Sequence, residues 1–235
     1  VMTTGFQKGS LYDPRTSFLA TVDTKRIADM MVAEIEQGMD RHSYNGPVVE
    51  RVEAKAGLIK AGTSYRLITR LERKALTVAA WTQRETGCPI SVHTDYGTMG
   101  PELLDILAEN QGDLEHTILC HVQRNPDRYY YKLLLDRGAY LCFEESNKVQ
   151  YRSDTEIAEC IRWIIDQGYG RQVLLGMDGG RREALAAYME SDGLANGLDY
   201  MLRRFVPMLK WTGVSQEAIR MILEENPARA FSIWK

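Results

Sequence analysis

Pro89-Ile90-Ser91-Val92-His93, then Pro101 to Asn110, then Thr117-Ile118-Leu119-Cys120-His121, then Pro126 to Asp136, then Ala139-Tyr140-Leu141-Cys142-Phe143: this stretch decides the fold. Short apolar runs alternate with segments of helical period. Pro101 falls in a first helical turn, where its missing N–H is harmless, and Gly112 stops that helix. The runs are continuously apolar, as in a parallel sheet covered by helices. Upstream the same rhythm gives a strand over Ala56-Gly57-Leu58-Ile59-Lys60 and a helix from about Arg70 to Glu85, C-capped at Gly87. Before them, Val1 to Thr4 reads as a strand. A helix then runs from about Thr24 to Met39, with Asp23 as N-cap and Ile27, Met30, Met31, Glu34 and Ile35 on one stripe. Downstream, Ser153-Asp154-Thr155-Glu156 forms a capping box before the Ile157, Cys160, Ile161, Ile164, Ile165 stripe. Gln172 to Asp178 is the last strand, and helices from about Ala195 to Trp211 and Ser215 to Glu225 follow.

Six strands with helices between them imply either an open doubly wound sheet or a closed barrel. No G-x-G-x-x-G follows the first strand and there is no P-loop, so the nucleotide-binding open sheet loses its support. No linker divides the 235 residues, and one domain over 1–235 is expected. The composition, 44% hydrophobic and 26% charged, is that of a chain able to bury a core. A net charge of −3 is too even for a polyanion-binding face, so nucleic acid is not expected as partner. No apolar run reaches the roughly 18 residues of a membrane span and no leader is visible, which reads as a soluble, cytoplasmic protein. Cys88, Cys120, Cys142 and Cys160 fit neither a zinc ribbon nor a disulfide framework and are read as buried thiols.

Chemistry in a barrel gathers at the C-terminal ends of the strands. The last residue of each apolar run is Lys60, His93, His121, Glu144 or Asp178, all ionisable. Two neutral imidazoles with carboxylate oxygens suit Zn²⁺ or a similar divalent ion. A protonated Lys60 has no lone pair, so its place in such a site requires a deprotonated amine or carbamylation by CO₂. The same lysine, desolvated, would instead serve as the Schiff-base nucleophile of an aldolase-type barrel.

Ala56-Gly57-Leu58-Ile59-Lys60, Ile90-Ser91-Val92-His93-Thr94, Ile118-Leu119-Cys120-His121, Leu174-Leu175-Gly176-Met177-Asp178 and Glu225-Asn226-Pro227-Ala228-Arg229-Ala230-Phe231, in this order, resemble the phosphotriesterase family of the amidohydrolase superfamily. The resemblance covers essentially the whole chain. It implies an α/β (β/α)8 barrel of TIM type and hydrolysis at two divalent metal ions, read as zinc, bridged by carbamylated Lys60 and a hydroxide. His93 and His121 would hold one ion, and Asp178 would ligate the other and shuttle a proton. The family's first strand ends in His-x-His, which this sequence lacks: its histidines are His42, His93, His116 and His121. Val1 to Gly5 resembles the family's third strand, so about six of eight strand-helix units are expected, with strands one and two absent. Such an arc, with its open edge, is expected to aggregate or to recruit a partner, including a second copy.

Thr4-Gly5-Phe6-Gln7-Lys8-Gly9 and Asp178-x-x-Arg181-Arg182 resemble members of the family that open phosphorylated sugar lactones. Lys148, Arg181 and Arg182 are candidate phosphate-binding cations for a small-molecule substrate. In that subgroup an aromatic follows the arginines closely, whereas here position 184 is Ala184 and the nearest tyrosine is Tyr188. Tyr129, Tyr130 and Tyr131, adjacent on one helix, point three ways and read as packing and surface, and His116, before its strand, reads as structural. Glu144 and Glu145 read either as pocket-lining or as one solvated and one paired acid. A third reading is non-enzymatic: a truncated barrel keeping a partial metal site.

Overall fold

Six short strands appear in the computed structural model, which describes residues 1–42, 48–180 and 197–235. They are β1 (Met2–Gly5), β2 (Ala56–Thr63), β3 (Ile90–Thr94), β4 (Thr117–Cys120), β5 (Tyr140–Phe143) and β6 (Val173–Leu175). All neighbours are parallel and the spatial order equals the chain order. A doubly wound sheet reverses its order at a switch point, whereas a barrel wall never does. The arrangement is therefore six consecutive units of a (β/α)8-type wall. Helices α2 (Thr24–Glu36), α3 (Arg70–Thr86), α4 (Gly100–Glu109), α5 (Arg128–Leu135) and α6 (Asp154–Asp166) make the crossovers, and a single turn, α1 (Phe18–Thr21), precedes α2. Among the described residues, β1 and β6 each pair on one side only, and no helix is long and apolar enough to cross a membrane.

The strands alternate beneath their uniform hydrophobicity. Ile59, Ala61, Ile90, Val92, Leu119, Leu141 and Val173 pack against the helices in the main core. Ile118, Cys120, Tyr140, Cys142 and Leu174 form a second cluster on the opposite face, the barrel interior. Local signals explain the helix ends. Asp23 accepts N–H groups from Lys25 and Arg26, Ser153 and Glu156 close a capping box, and Gly87 takes the left-handed C-cap conformation. Helix α5 starts later than the expected Pro126, because the Asp127 carboxylate caps the N–H groups of Tyr129 and Tyr130. Glu34, on the stripe of α2, is buried because the Thr4 hydroxyl donates to it at 2.5 Å.

Other boundaries differ from expectation as well: α2 ends at Glu36, short of Met39, and β2 runs past Lys60 to Thr63. Strand pairing of β6 ends at Leu175, not Asp178; Asp178 has φ of 42°, which no strand accommodates. The last helical segment runs past Glu225 to Ala230, through a wide turn at Met221–Glu225 that puts Pro227 at the head of Asn226–Ala230, where no N–H is needed. Asn226 in this segment is fully buried and donates from Nδ2 to the carbonyls of Gly170 (2.8 Å) and Val173 (2.7 Å). It thus ties the C-terminal segment to the start of β6. Asn226→Ala would strip both carbonyls of a donor, at about 1–3 kcal/mol for each one left unsatisfied. Urea unfolding is expected to show a loss of that size, and a change below about 0.5 kcal/mol would contradict the role.

Candidate active site

The carboxyl ends of the strands bring the ionisable residues to one side. Lys60 sits mid-way along β2 opposite Ser91, and His93 lies two residues beyond Ser91, opposite Gly62. Period-two alternation therefore puts Lys60, Ser91 and His93 on the interior face, with His93 one step nearer the strand ends. Gly5 closes the end of β1 over Lys60: its φ is 108°, and a Cβ there would lie 2.2 Å from the Lys60 carbonyl oxygen. Lys60 is half-buried, and its ammonium makes no ion pair or hydrogen bond among the described residues.

His121 follows β4 in a left-handed conformation with φ of 64°, and Asp178 follows β6 with φ of 42°. Non-glycine residues held there cost of order 1–3 kcal/mol each and cluster at functional sites. This turn swings the His121 ring against His93, with centroids 4.5 Å apart and an edge-on angle of 75°. His93 Nε2 and His121 Nδ1 are both buried with no hydrogen-bond partner among the described residues. His121 Nδ1 lies 3.0 Å from Glu144 Oε1 and 3.8 Å from Glu145 Oε1, without the alignment of a hydrogen bond. Ligand atoms of His121, Glu145 and Asp178 lie within 4.8 Å of one another.

Burial pushes His93 down to about 4, assisted by the Lys60 charge. Burial also lowers His121 to about 4, with His93 adding to it. Both imidazoles are thus neutral at pH 7 and carry free lone pairs. Orphaned, neutral, adjacent imidazoles beside carboxylates fit a divalent cation. Because both values lie below the ordinary 6.5, the unfolded chain takes up the protons first as pH falls. The metal-free chain is therefore expected to hold this contribution above about pH 6.5 and to lose it progressively toward about pH 4. Thermal unfolding across that window should show a falling Tm, flattened in His93→Gln; a flat wild-type profile would contradict the assignment.

Of the two adjacent acids, Glu145 is a paired one. Its side chain is 0% exposed and is gripped by Arg124, whose Nε donates to Oε2 at 2.6 Å and whose Nη2 pairs with Oε1. Gln123 Nε2 donates to the same Oε2 at 2.6 Å. Burial opposes ionisation of Glu145, but Arg124 outweighs it and holds the carboxyl below its usual range. Arg124 stacks on Tyr151, 3.8 Å from the ring centroid, and lies 5.4 Å from that of Tyr96. Lys148 does not stand free at the rim. Its ammonium donates to Asp178 Oδ2 (2.6 Å) and the Asp178 carbonyl (3.2 Å), and lies 3.4 Å from Glu145 Oε1. Burial works against the Asp178 charge, and Lys148 more than compensates, leaving its pKa lowered. A cleft of about 460 Å³ opens here, lined by Lys8, His93, Tyr96, His121, Arg124 and Asp178 among others. Lys8 pairs with Asp95 at 2.9 Å on its wall.

The candidate metal ligands other than Lys60 are thus joined in one cleft wall, and Lys60 lies below them on the same face. Arg181 and Arg182 fall outside the described residues. His116 is held by Asp113 at 2.6 Å, away from the cleft, and Tyr129, Tyr130 and Tyr131 are respectively exposed, partly buried and buried, in accord with their structural reading. All four cysteines are buried and free.

A sequential parallel barrel wall that carries a His/Asp cluster at its strand ends defines the class as an α/β-barrel protein. The family model described as Phosphotriesterase family matches residues 1–231, and the chain belongs to that family. It is 46% identical over 238 residues to a phospho-furanose lactonase of Mycoplasmopsis synoviae (strain 53), covering 99% of this chain and 66% of the relative. It is 33% identical over 232 residues to the phosphotriesterase homology protein of Escherichia coli (strain K12), covering 98% of this chain and 73% of the relative. Among solved structures, an amidohydrolase from Mycoplasma synoviae superposes with a TM-score of 0.94 at 46% identity, over 99% of this chain and 67% of that one. The Escherichia coli phosphotriesterase homology protein, complexed with phosphate in its active site, gives 0.87 at 33% identity, over 98% and 73%. The chain spans 66% and 65% of the length of two phospho-furanose lactonases that it matches.

Proposed function

We propose that the chain acts as a metal-dependent lactonase that opens a small lactone, with a phosphorylated sugar lactone as the preferred substrate class. The observation that carries this reading is the pair of buried nitrogens without a hydrogen-bond partner among the described residues, His93 Nε2 and His121 Nδ1, within one cleft with Asp178. Relatives named as phospho-furanose lactonases support the substrate class. In this reading His93 and His121 would hold one ion, Asp178 would contribute to the second, and Lys60, carbamylated, would be a ligand to both. When bound, the ions, read as Zn²⁺, supply Lewis acidity toward the carbonyl oxygen and a water nucleophile at neutral pH.

The remaining work belongs to the chain's own groups. Asp178, kept ionised by Lys148, accepts a proton from the attacking water and returns it to the departing alkoxide. Glu145 holds Arg124 against the cleft wall, and Arg181 and Arg182 are the cations proposed for a phosphoryl group, since Lys148 is engaged by Asp178 and Glu145. The volume of about 460 Å³ suits a small molecule. We read residues 1–235 as one barrel domain acting in the cytoplasm, a setting with which four free thiols are compatible.

The test is hydrolysis of paired lactones with and without a phosphoryl group, before and after chelation. Faster, chelator-sensitive turnover of the phosphorylated member is expected. Turnover no better than free metal in solution, or borohydride trapping of a keto substrate on Lys60, would overturn the reading in favour of a binding role or imine chemistry.

A further inference from the structure

Below the His93/His121 cleft, on the interior face of the sheet, the register brings together a second donor set that the proposed hydrolysis does not use. Cys120 of β4 and Cys142 of β5 are direct cross-strand partners. Ser91 of β3 places its Oγ 3.3 Å from Cys120 Sγ. Glu144 lies two residues beyond Cys142, hence on the same face, and its Oε2 is 3.8 Å from Cys142 Sγ. Ligand atoms of Cys120, Cys142 and Glu144 all lie within 4.8 Å of one another.

The two oxygens of Glu144 face different ways. Oε1 accepts the His121 backbone N–H at 3.1 Å. Oε2 accepts from no N–H or O–H donor among the described residues, and a thiol is a weak donor. Among the described residues that oxygen meets only sulfur, so its lone pairs stay open to a positive partner. Bonds of 2.3 Å to sulfur in tetrahedral geometry put two thiolates about 3.8 Å apart, a separation this pocket can meet with small side-chain adjustments. The surrounding Ile118, Tyr140 and Leu174 exclude water from most of it, while Glu144 stays 16% exposed and leaves a way in.

We propose that Cys120, Cys142 and Glu144 form a separate site for a soft, thiophilic metal ion of the Zn²⁺, Cd²⁺ or Cu⁺ class, in the barrel interior beneath the hydrolytic centre. Binding exchanges the two thiol protons for the metal and releases both to solvent. Thiolate ligands select such ions over Mg²⁺ and Ca²⁺. Ser91 Oγ or water completes the coordination.

The experiment is a Cd²⁺ titration of the metal-loaded full chain, read by the ultraviolet thiolate-to-cadmium charge-transfer band, which histidine and carboxylate ligands do not give. One equivalent is expected to develop the band. Cys120→Ser and Cys142→Ser should each weaken or abolish it, whereas His93→Asn, which damages the hydrolytic site, should leave it intact. This last arm separates the proposal from the fate of the lactonase reading. Absence of the band, or its persistence in the Cys120→Ser/Cys142→Ser double variant, would overturn the site. Should the serine variants fail to fold, ¹¹³Cd NMR of the unaltered chain decides: a resonance in the sulfur-ligated range supports the site, and only nitrogen- and oxygen-ligated resonances overturn it.

Discussion

Asp178→Asn is expected to lower lactone hydrolysis by roughly 10²–10⁴-fold, the usual worth of a positioned proton-transfer group. The amide keeps the size of the side chain but neither accepts a proton at neutral pH nor carries the charge that pairs with Lys148 at 2.6 Å. Stability should scarcely move. The Asp178 side chain is 44% exposed, and ion pairs at such sites contribute about 0–1 kcal/mol. The diagnostic pattern is a large fall in kcat with Tm preserved to within a few degrees. Unchanged kcat in Asp178→Asn would remove the proton-transfer role assigned to this residue.

Glu145→Ala is expected to produce the largest stability loss of any change near the cleft. The carboxylate is wholly buried and satisfies Arg124, Gln123 and Lys148 together. Removing it leaves the largely buried Arg124 guanidinium without its counter-ion, a change that typically costs 3–5 kcal/mol. For a chain of this size that corresponds to a fall in Tm of roughly 10 °C. A double variant, Arg124→Met with Glu145→Leu, should recover much of the loss, because replacing both charges by apolar groups of similar volume is often close to neutral. A loss below about 1 kcal/mol in Glu145→Ala would mean that solvent reaches the pair.

The contrast between Asp178 and Glu145 shows what could be read from the chain beforehand. Helix starts and stops depend on neighbouring residues, so Asp23, Gly87 and the Ser153/Glu156 box were legible and the structure bears them out. The strand positions were legible for the same reason, and the family resemblance is matched by the Phosphotriesterase family profile over residues 1–231. What local sequence could not reveal was backbone geometry past the strand ends. Nothing in Cys120-His121-Val122 announces a φ of 64°, nor does Met177-Asp178-Gly179 announce 42°. These two turns aim the side chains into the cleft.

Tertiary partnerships were equally invisible. Glu145 and Arg124 are 21 residues apart, and their pairing depends on how two βα loops meet. Lys148 looked available for a phosphoryl group, yet it spends its donors on Asp178 and Glu145. Cys120 and Cys142 looked like isolated small hydrophobes 22 residues apart until the register of β4 and β5 set them side by side. Spacing along a chain identifies a metal site only when the ligands come from one local motif, and here they come from separate strands.

The claim on which the functional account stands is that His93, His121, Asp178 and Lys60 hold metal ions together. An anomalous-difference map recorded at the zinc absorption edge from crystals grown with Zn²⁺ tests it most directly. The account predicts strong peaks beside His93 Nε2, His121 Nδ1 and the Asp178 carboxylate, with extra density on Lys60 Nζ reaching toward them. A map with no peak at that cluster, and with Lys60 carrying a bare ammonium turned away from both histidines, would contradict it.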